Sequence, residues 1–331
     1  LTLEKIRQWH FINQGGFKMT QATTSFTLPQ YRQLITHVDT ERRAVWHYIN
    51  PTPRPAFTKV VLEEIRDVQR RVKAHLGDDL DMDADIRYLV LASAVPRVYC
   101  LGGDLHLFSR VIRERDRETL TEYGRLCIDC VHGNASHVGV PGLTTISLVQ
   151  GSALGGGFEA ALSTNVLVAE RSATFGFPEI IFNLFAGMGA YSLLSRRIDP
   201  IRADRMMRSG EQYSAEQLYD MGIVDVLAED GEGVRAVNDY IRKHQRSYNG
   251  LTAIQQVRQR LFPLTYQELD DVVAIWVDAA MRLTDRDLRT MERLVAAQHR
   301  LAARTDGGNA APEKVEKMEE HTEVAEVAGA A

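Results

Sequence analysis

A chain of 331 residues with 44% apolar and 25% charged residues can bury a sizeable core without covalent staples. A net charge of −5 leaves no broad basic field for nucleic acid, and no run of about eighteen apolar residues is present to span a membrane. The three cysteines, Cys100, Cys127 and Cys130, are too few and odd in number for a disulfide framework and suit a reducing, cytoplasmic setting.

Residues 1–18 lack the basic-then-apolar pattern of a signal peptide, and the first methionine is Met19. Residues 1–25 are expected to form a flexible extension. Residues 43–50 have the β-branched and aromatic content of a strand, and Pro51, Pro53 and Pro55 then break the chain. Val61, Leu62, Ile65, Val68 and Val72 lie on one helical stripe within residues 57–76. Residues 86–92 read as a buried strand, followed by the Gly102-Gly103 turn and a helix from about Asp104. Cys127-Ile-Asp-Cys130 has redox spacing but lies in a helical stretch with no second pair, so a structural role is expected. Residues 144–149 form a strand leading to Gly151. Glu159 is expected to open a helix with Ala160, Ala161 and Leu162, and residues 165–169 form a further strand. This alternation argues an α/β fold.

Ser214-Ala-Glu-Gln217 is a capping box at a helix start, and Gly222 is a helix stop. After one more strand over residues 223–227 the chain turns helical, from about Asp230. Leu269, Val272, Val273, Trp276 and Ala280 form one stripe; Leu288, Met291, Val295 and Leu301 form another. Residues 269–283 carry apolar side chains on more than one face, Trp276 and Val277 included, which predicts burial on several sides, either in contact between copies or by lining the acyl pocket and folding back over the chain's own core. Residues 305–331 are rich in Glu, Ala, Gly and Lys, without aromatics, and read as a disordered tail. The chain thus divides into a core at 26–229, a helical region at 230–304 and the tail.

Two carboxylates stand in chemically suggestive settings. Glu159 follows Gly155-Gly156-Gly157-Phe158, and Glu179 follows Phe175-Gly-Phe-Pro178. Bare backbone at the two glycine turns can aim N–H groups at one point, and a helix beginning at the triple glycine adds its positive end there. Two carboxylates beside that point can take and give protons. The rival reading of Gly155-Gly-Gly-Phe-Glu-Ala160 as a dinucleotide fingerprint fits less well. The preceding strand ends near Gly151, four residues too early, and the acidic residue closing the next strand would be Glu170. Ser152 is not in a Gly-x-Ser-x-Gly elbow, and His132 and His137 match no metal motif, so neither a metal nor a cofactor is expected.

Leu-Gly-Gly-Asp104, Val-Gln-Gly-Ser-Ala-Leu-Gly-Gly-Gly-Phe-Glu159 and Phe-Gly-Phe-Pro-Glu179 together resemble the enoyl-CoA hydratase (crotonase) superfamily, over residues 40–305. Residues 150–162, 185–192, 213–218 and 275–278 are similar to one branch, the bacterial diffusible-signal-factor synthases, which make cis-2-unsaturated fatty acid signals. The resemblance implies a crotonase-like spiral of ββα units with a helical C-terminal region, and an oxyanion hole of the Gly103 and Gly156 N–H groups. It implies Glu159 and Glu179 as the catalytic acids, a homotrimer or dimer of trimers, and a signalling sensor or regulator as a partner. The implied reaction is dehydration of a medium-chain 3-hydroxyacyl thioester to the cis-2-enoyl form, then thioester hydrolysis. Met188 and Trp276 are candidates for the acyl pocket. The chain departs from the family at Pro53-Arg-Pro-Ala-Phe57, where Asn-Ala-Leu is common, which favours an acyl-carrier-protein thioester over acyl-CoA. The alternatives are a plain enoyl-CoA hydratase, isomerase or acyl-CoA thioesterase, and a non-catalytic module that binds a signalling partner.

Overall fold

The computed structural model describes residues 25–306. The expected N-terminal extension up to residue 24 and the expected tail from residue 307 lie outside the described residues. Thr305 and Asp306, placed in that tail by composition, are the last residues of a helix.

Strands β1 (Leu34–Asp39) and β2 (Ala44–Ile49) pair antiparallel, with Leu34 opposite Ile49. Helix α1 (Lys59–Leu76) starts where the Thr58 side chain accepts from the Val61 N–H, and its expected stripe from Val61 to Val72 is buried. A unit of two strands and a helical return then occurs three times. First come β3 (Tyr88–Ser93), β4 (Val98–Cys100), α2 (Leu105–Arg113) and α3 (Arg117–Ala135). Then come β5 (Thr144–Val149), β6 (Ser152–Leu154) and α4 (Gly156–Ser163). Last are β7 (Val166–Glu170), β8 (Thr174–Gly176), a 3₁₀ turn over Pro178–Phe182, α5 (Ala190–Leu194) and α6 (Pro200–Ser209). The first strand of each unit joins a six-stranded sheet and the second a four-stranded one. This is the crotonase-like α/β spiral that the sequence implies.

Next come β9 (Gln212–Ser214), α7 (Ala215–Asp220) and β10 (Val226–Ala228). The large sheet runs β1-β2-β3-β5-β7-β10 and the small one β4-β6-β8-β9. All neighbours are parallel except β1 with β2 and β8 with β9. The capping box at Ser214 forms with both of its hydrogen bonds. Strand β10 begins three residues later than expected, because the Ile223 and Val224 N–H groups turn back to the Leu218 carbonyl and end α7 instead.

Alternation along the strands separates two cores. Val45, Leu89, Leu91 and Leu167 face the helices that enclose the site, whereas Trp46, Val90, Ile146 and Val168 face the opposite side. Helix α8 (Gly233–Gln245) covers that second face with Val234, Val237 and Ile241. Helices α9 (Tyr248–Leu261), α10 (Tyr266–Ala280) and α11 (Asp285–Asp306) complete the described chain.

Helix α10 is covered by its own chain, one of the two covers expected for it. Leu269, Val273, Trp276, Val277 and Ala280 are all buried within its own chain, and α10 packs along α3. Trp276 and Val277 are therefore covered without a second copy, while Ile275 on the same helix is 59% exposed. The exposed apolar stripe lies on α9 and just beyond it, at Ile254, Val257, Leu261 and Phe262. Among the described residues no helix is long and apolar enough to cross a membrane.

Candidate active site

Strands β4 and β6 are parallel neighbours, so their C-terminal ends lie side by side. Each runs straight into a glycine turn, and this is what unites two motifs some fifty residues apart in sequence. The turns meet backbone to backbone. A Cβ placed on Gly102 would lie 3.3 Å from the Gly156 nitrogen, and one on Gly156 would lie 3.3 Å from the Gly103 nitrogen. A Cβ on Gly157 would collide with the Cys100 carbonyl oxygen at 2.2 Å. Gly102 and Gly155 also need positive φ, 101° and 53°.

Groups flanking Gly103 are engaged elsewhere. The Gly102 carbonyl accepts from Phe57 N–H at 2.8 Å, and Asp104 N–H donates to Tyr123 Oη at 3.1 Å. Gly156 is the first residue of α4, where an N–H has no intrahelical acceptor and the helix presents its positive end. The helix opens at Gly156 rather than at Glu159, because the glycines themselves supply its first turn. Gly103 and Gly156 border the same cavity.

The two carboxylates line that cavity as well. Glu159, in the first turn of α4, is 2% exposed, and its Oε1 accepts from the Met188 and Ala190 N–H groups at 2.7 and 2.9 Å. Burial pushes its carboxyl up to about 7, against the lowering effect of those two donors. Glu179 is carried by the 3₁₀ turn that Pro178 initiates. Its Oε1 sits where a Gly155 side chain would be, 2.1 Å from an added Cβ, so Gly155 must be glycine for the carboxylate to fit. The residue as a whole is half-buried, yet its Oε2 is sealed from solvent and has no hydrogen-bond partner. Burial, and then the charge of Glu159, push it up to about 8. The two N–H donors favour the ionised form at Glu159, and the charge of Glu159 in turn favours the protonated form at Glu179.

The cavity holds about 60 Å³ and is otherwise mostly apolar. Both residues expected in an acyl pocket border it: Met188, whose backbone also holds Glu159, and Trp276. Trp276 meets Phe108 edge to face at 5.1 Å, and it lies so close to Gly187 that a Cβ there would stand 2.3 Å from the indole. All six sequence-derived site residues thus surround one space. Not foreseen were Tyr123, Cys127, Cys130, Val131 and Asn134 on α3, which line its length. Their spacing along one helical face was the available signal. Cys127 and Cys130 are buried free thiols, and burial raises both, Cys130 to about 12, which keeps them neutral and unreactive.

Other motifs are occupied elsewhere. Ser152 Oγ pairs with Thr174 Oγ1 at 3.0 Å, and His137 Nδ1 is bonded to the Leu143 carbonyl at 2.7 Å. Among the described residues no three His, Cys, Asp or Glu groups gather as a metal site would require.

The profile of the enoyl-CoA hydratase/isomerase family matches residues 50–261. The chain is 25% identical over 182 residues to a probable enoyl-CoA hydratase of Bacillus subtilis, covering 55% of this chain and 64% of that one. It is 29% identical over 198 residues to methylglutaconyl-CoA hydratase 1 of Pyricularia oryzae, covering 54% of each. The chain therefore spans between about half and two thirds of the length of these relatives, and 28% of the fatty acid oxidation complex subunit alpha of Pseudomonas syringae. Among solved structures, Pseudomonas aeruginosa DspI shares the fold with a TM-score of 0.60 at 22% identity, over 77% of this chain and 98% of that one. Human mitochondrial delta3-delta2-enoyl-CoA isomerase does so with a TM-score of 0.64 at 15% identity, over 84% and 100%.

Proposed function

The chain belongs to the enoyl-CoA hydratase/isomerase family, and from that premise we propose that it dehydrates a 3-hydroxyacyl thioester and then hydrolyses the enoyl thioester. The observation that carries the reading is the pairing of the buried Glu159 with Glu179, whose Oε2 is sealed and partnerless, beside the Gly103 and Gly156 N–H groups. Removal of a C2 proton needs an ionised carboxylate, and loss of the C3 hydroxyl as water needs a protonated one. A pair holding a single proton meets both needs at once. The negative charge that develops on the thioester oxygen would be met by the two backbone N–H groups in a site from which water is largely excluded. The order of roles between the two glutamates follows from the pose of the bound thioester.

Hydrolysis can use the same parts. The N–H pair would hold the tetrahedral oxyanion while a carboxylate activates water, so no serine or cysteine nucleophile is needed. The neutral, buried thiols of Cys127 and Cys130 agree with this division of labour. The released product would be a cis-2-unsaturated fatty acid serving as a cell-to-cell signal. A carrier-protein substrate is favoured by residues 53–57. This segment lies over the Gly102 turn through Phe57 N–H and ties Arg54 to Asp104 at 2.9 Å. The stripe of Ile254, Val257, Leu261 and Phe262 would be buried between copies of the chain in a homo-oligomer. A reading as a binding module without catalysis leaves the sealed, partnerless Oε2 of Glu179, a residue that lines the cavity, without a purpose. The test is an assay of purified protein on 3-hydroxyacyl thioesters of acyl carrier protein and of CoA, with enoyl thioester and free acid quantified separately. Turnover of neither carrier form would overturn the proposal.

A further inference from the structure

The cavity has a wet end and a dry end. Gly103, Leu105, Glu179 and Phe185 are partly exposed, whereas Leu62, Ile65, Cys130, Val131 and Asn134 are buried. A thioester held at Gly103 and Gly156 would leave its carrier outside and send its tail along α3, past Cys127, Cys130 and Val131. At the dry end the lining changes from apolar to polar. Asn134 Oδ1 accepts from Gln69 Nε2 at 2.9 Å, and Asn134 Nδ2 donates to Ser163 Oγ at 2.9 Å. Gln69 Nε2 also donates to the Cys130 carbonyl at 2.9 Å, and Ser163 Oγ to the Ala160 carbonyl at 2.6 Å. Gln69 lies flat on Gly133, where a Cβ would meet its amide at 2.6 Å. Three helices, α1, α3 and α4, are pinned by this one network.

We propose that Asn134, held by Gln69 and Ser163, is the end wall of the acyl tunnel and sets the longest tail the enzyme accepts, with Cys130 marking the last apolar stretch before it. This rests on the thioester reading above. A tail one step too long would have to push Asn134 away from Gln69 and Ser163, and a hydrocarbon terminus cannot replace those hydrogen bonds, so buried polar groups would be left unpaired. Discrimination on that ground is stronger than an apolar pocket gives for one methylene. The distance available is set by the helix. From Cys127, which lines the cavity together with Glu159, to Asn134 the rise along α3 is roughly 10 Å at 1.5 Å per residue.

The test uses amide-linked acyl-pantetheine analogues of graded chain length, which can be neither dehydrated nor hydrolysed at the thioester position. Affinity against chain length is measured for the wild type, for Cys130→Phe and for Asn134→Ala. Cys130→Phe shortens the tunnel and leaves the network in place. In Asn134→Ala, Gln69 and Ser163 each keep their second partner. The ratio of long-chain to short-chain affinity is expected to fall by at least about tenfold in Cys130→Phe, and the longest tolerated chain to increase in Asn134→Ala. Either shift, in a variant with the circular dichroism of the wild type, supports the wall; a loss of stability alone would not move the length profile. Superimposable profiles in all folded variants overturn it, as does a wild type that binds no analogue. A shifted profile in a protein without thioester turnover would keep the wall and refute the reaction.

Discussion

Replacing Glu159 by glutamine should stabilise the protein, and by an amount that grows with pH. The folded state holds this carboxyl at about 7, well above its ordinary 4.5, because burial opposes the charge. Below 4.5 both folded and unfolded chains carry the proton and the group costs nothing. As pH rises through 4.5 the unfolded chain releases its proton while the folded chain keeps it, so stability falls until the folded group ionises near 7. A rise from 4.5 to about 7, at about 1.36 kcal/mol per pH unit, corresponds to a penalty on the order of 3 kcal/mol above pH 8. Glutamine retains an acceptor for the Met188 and Ala190 N–H groups and carries no charge to desolvate. Thermal unfolding of the wild type and Glu159→Gln at pH 5 and pH 8.5 should show nearly equal midpoints at the lower pH. At the higher pH the variant should melt later, by on the order of 5 °C. Activity should meanwhile fall by about 10² to 10⁴, the usual contribution of an acid–base group. A variant less stable than the wild type at pH 8.5 would mean that the two N–H donors outweigh burial, and would refute the argument that the pair shares a proton at neutral pH.

Three further outcomes are expected. The pH dependence of kcat/KM should be a narrow bell with limbs near 7 and 8, since both carboxyls are protonated below it and both ionised above it; a flat profile from pH 6 to 9 would count against the dyad. Gly156→Pro removes the N–H at the first helical position, where proline is tolerated, and should lower dehydration and hydrolysis together by about 10² to 10³; loss of one activity alone would point to separate sites. Light scattering should give a multiple of 37.2 kDa for the wild type and a smaller particle for Ile254→Glu with Leu261→Glu, whereas a monomeric wild type would rule out the proposed copy contact.

Sequence made the long elements and the chemistry legible for different reasons. The α1 stripe and the Ser214 capping box are local patterns that packing leaves intact. The glycine turns were visible because a backbone site leaves a sequence trace only where side chains are missing. Strands β6 and β8 are three residues each, too short to show a period, although β6 is what carries Gly155 to the site. The shape of the cavity was equally hidden. Gln69 and Asn134 are 65 residues apart and meet only when α1 packs on α3. The multi-sided apolar pattern of α10 signals burial, but period alone does not say whether a helix is covered by its own chain or by another copy; the packing against α3 supplies that answer for Trp276 and Val277.

The most direct test of the central claim is mass spectrometry of the products formed from 3-hydroxyacyl thioesters on acyl carrier protein. The wild type should yield enoyl thioester followed by free 2-enoic acid, and folded Glu159→Gln and Glu179→Gln should each yield both at least about a hundredfold more slowly. Turnover near the wild-type rate in either folded variant would contradict the account of two carboxylates sharing one proton at a single oxyanion hole.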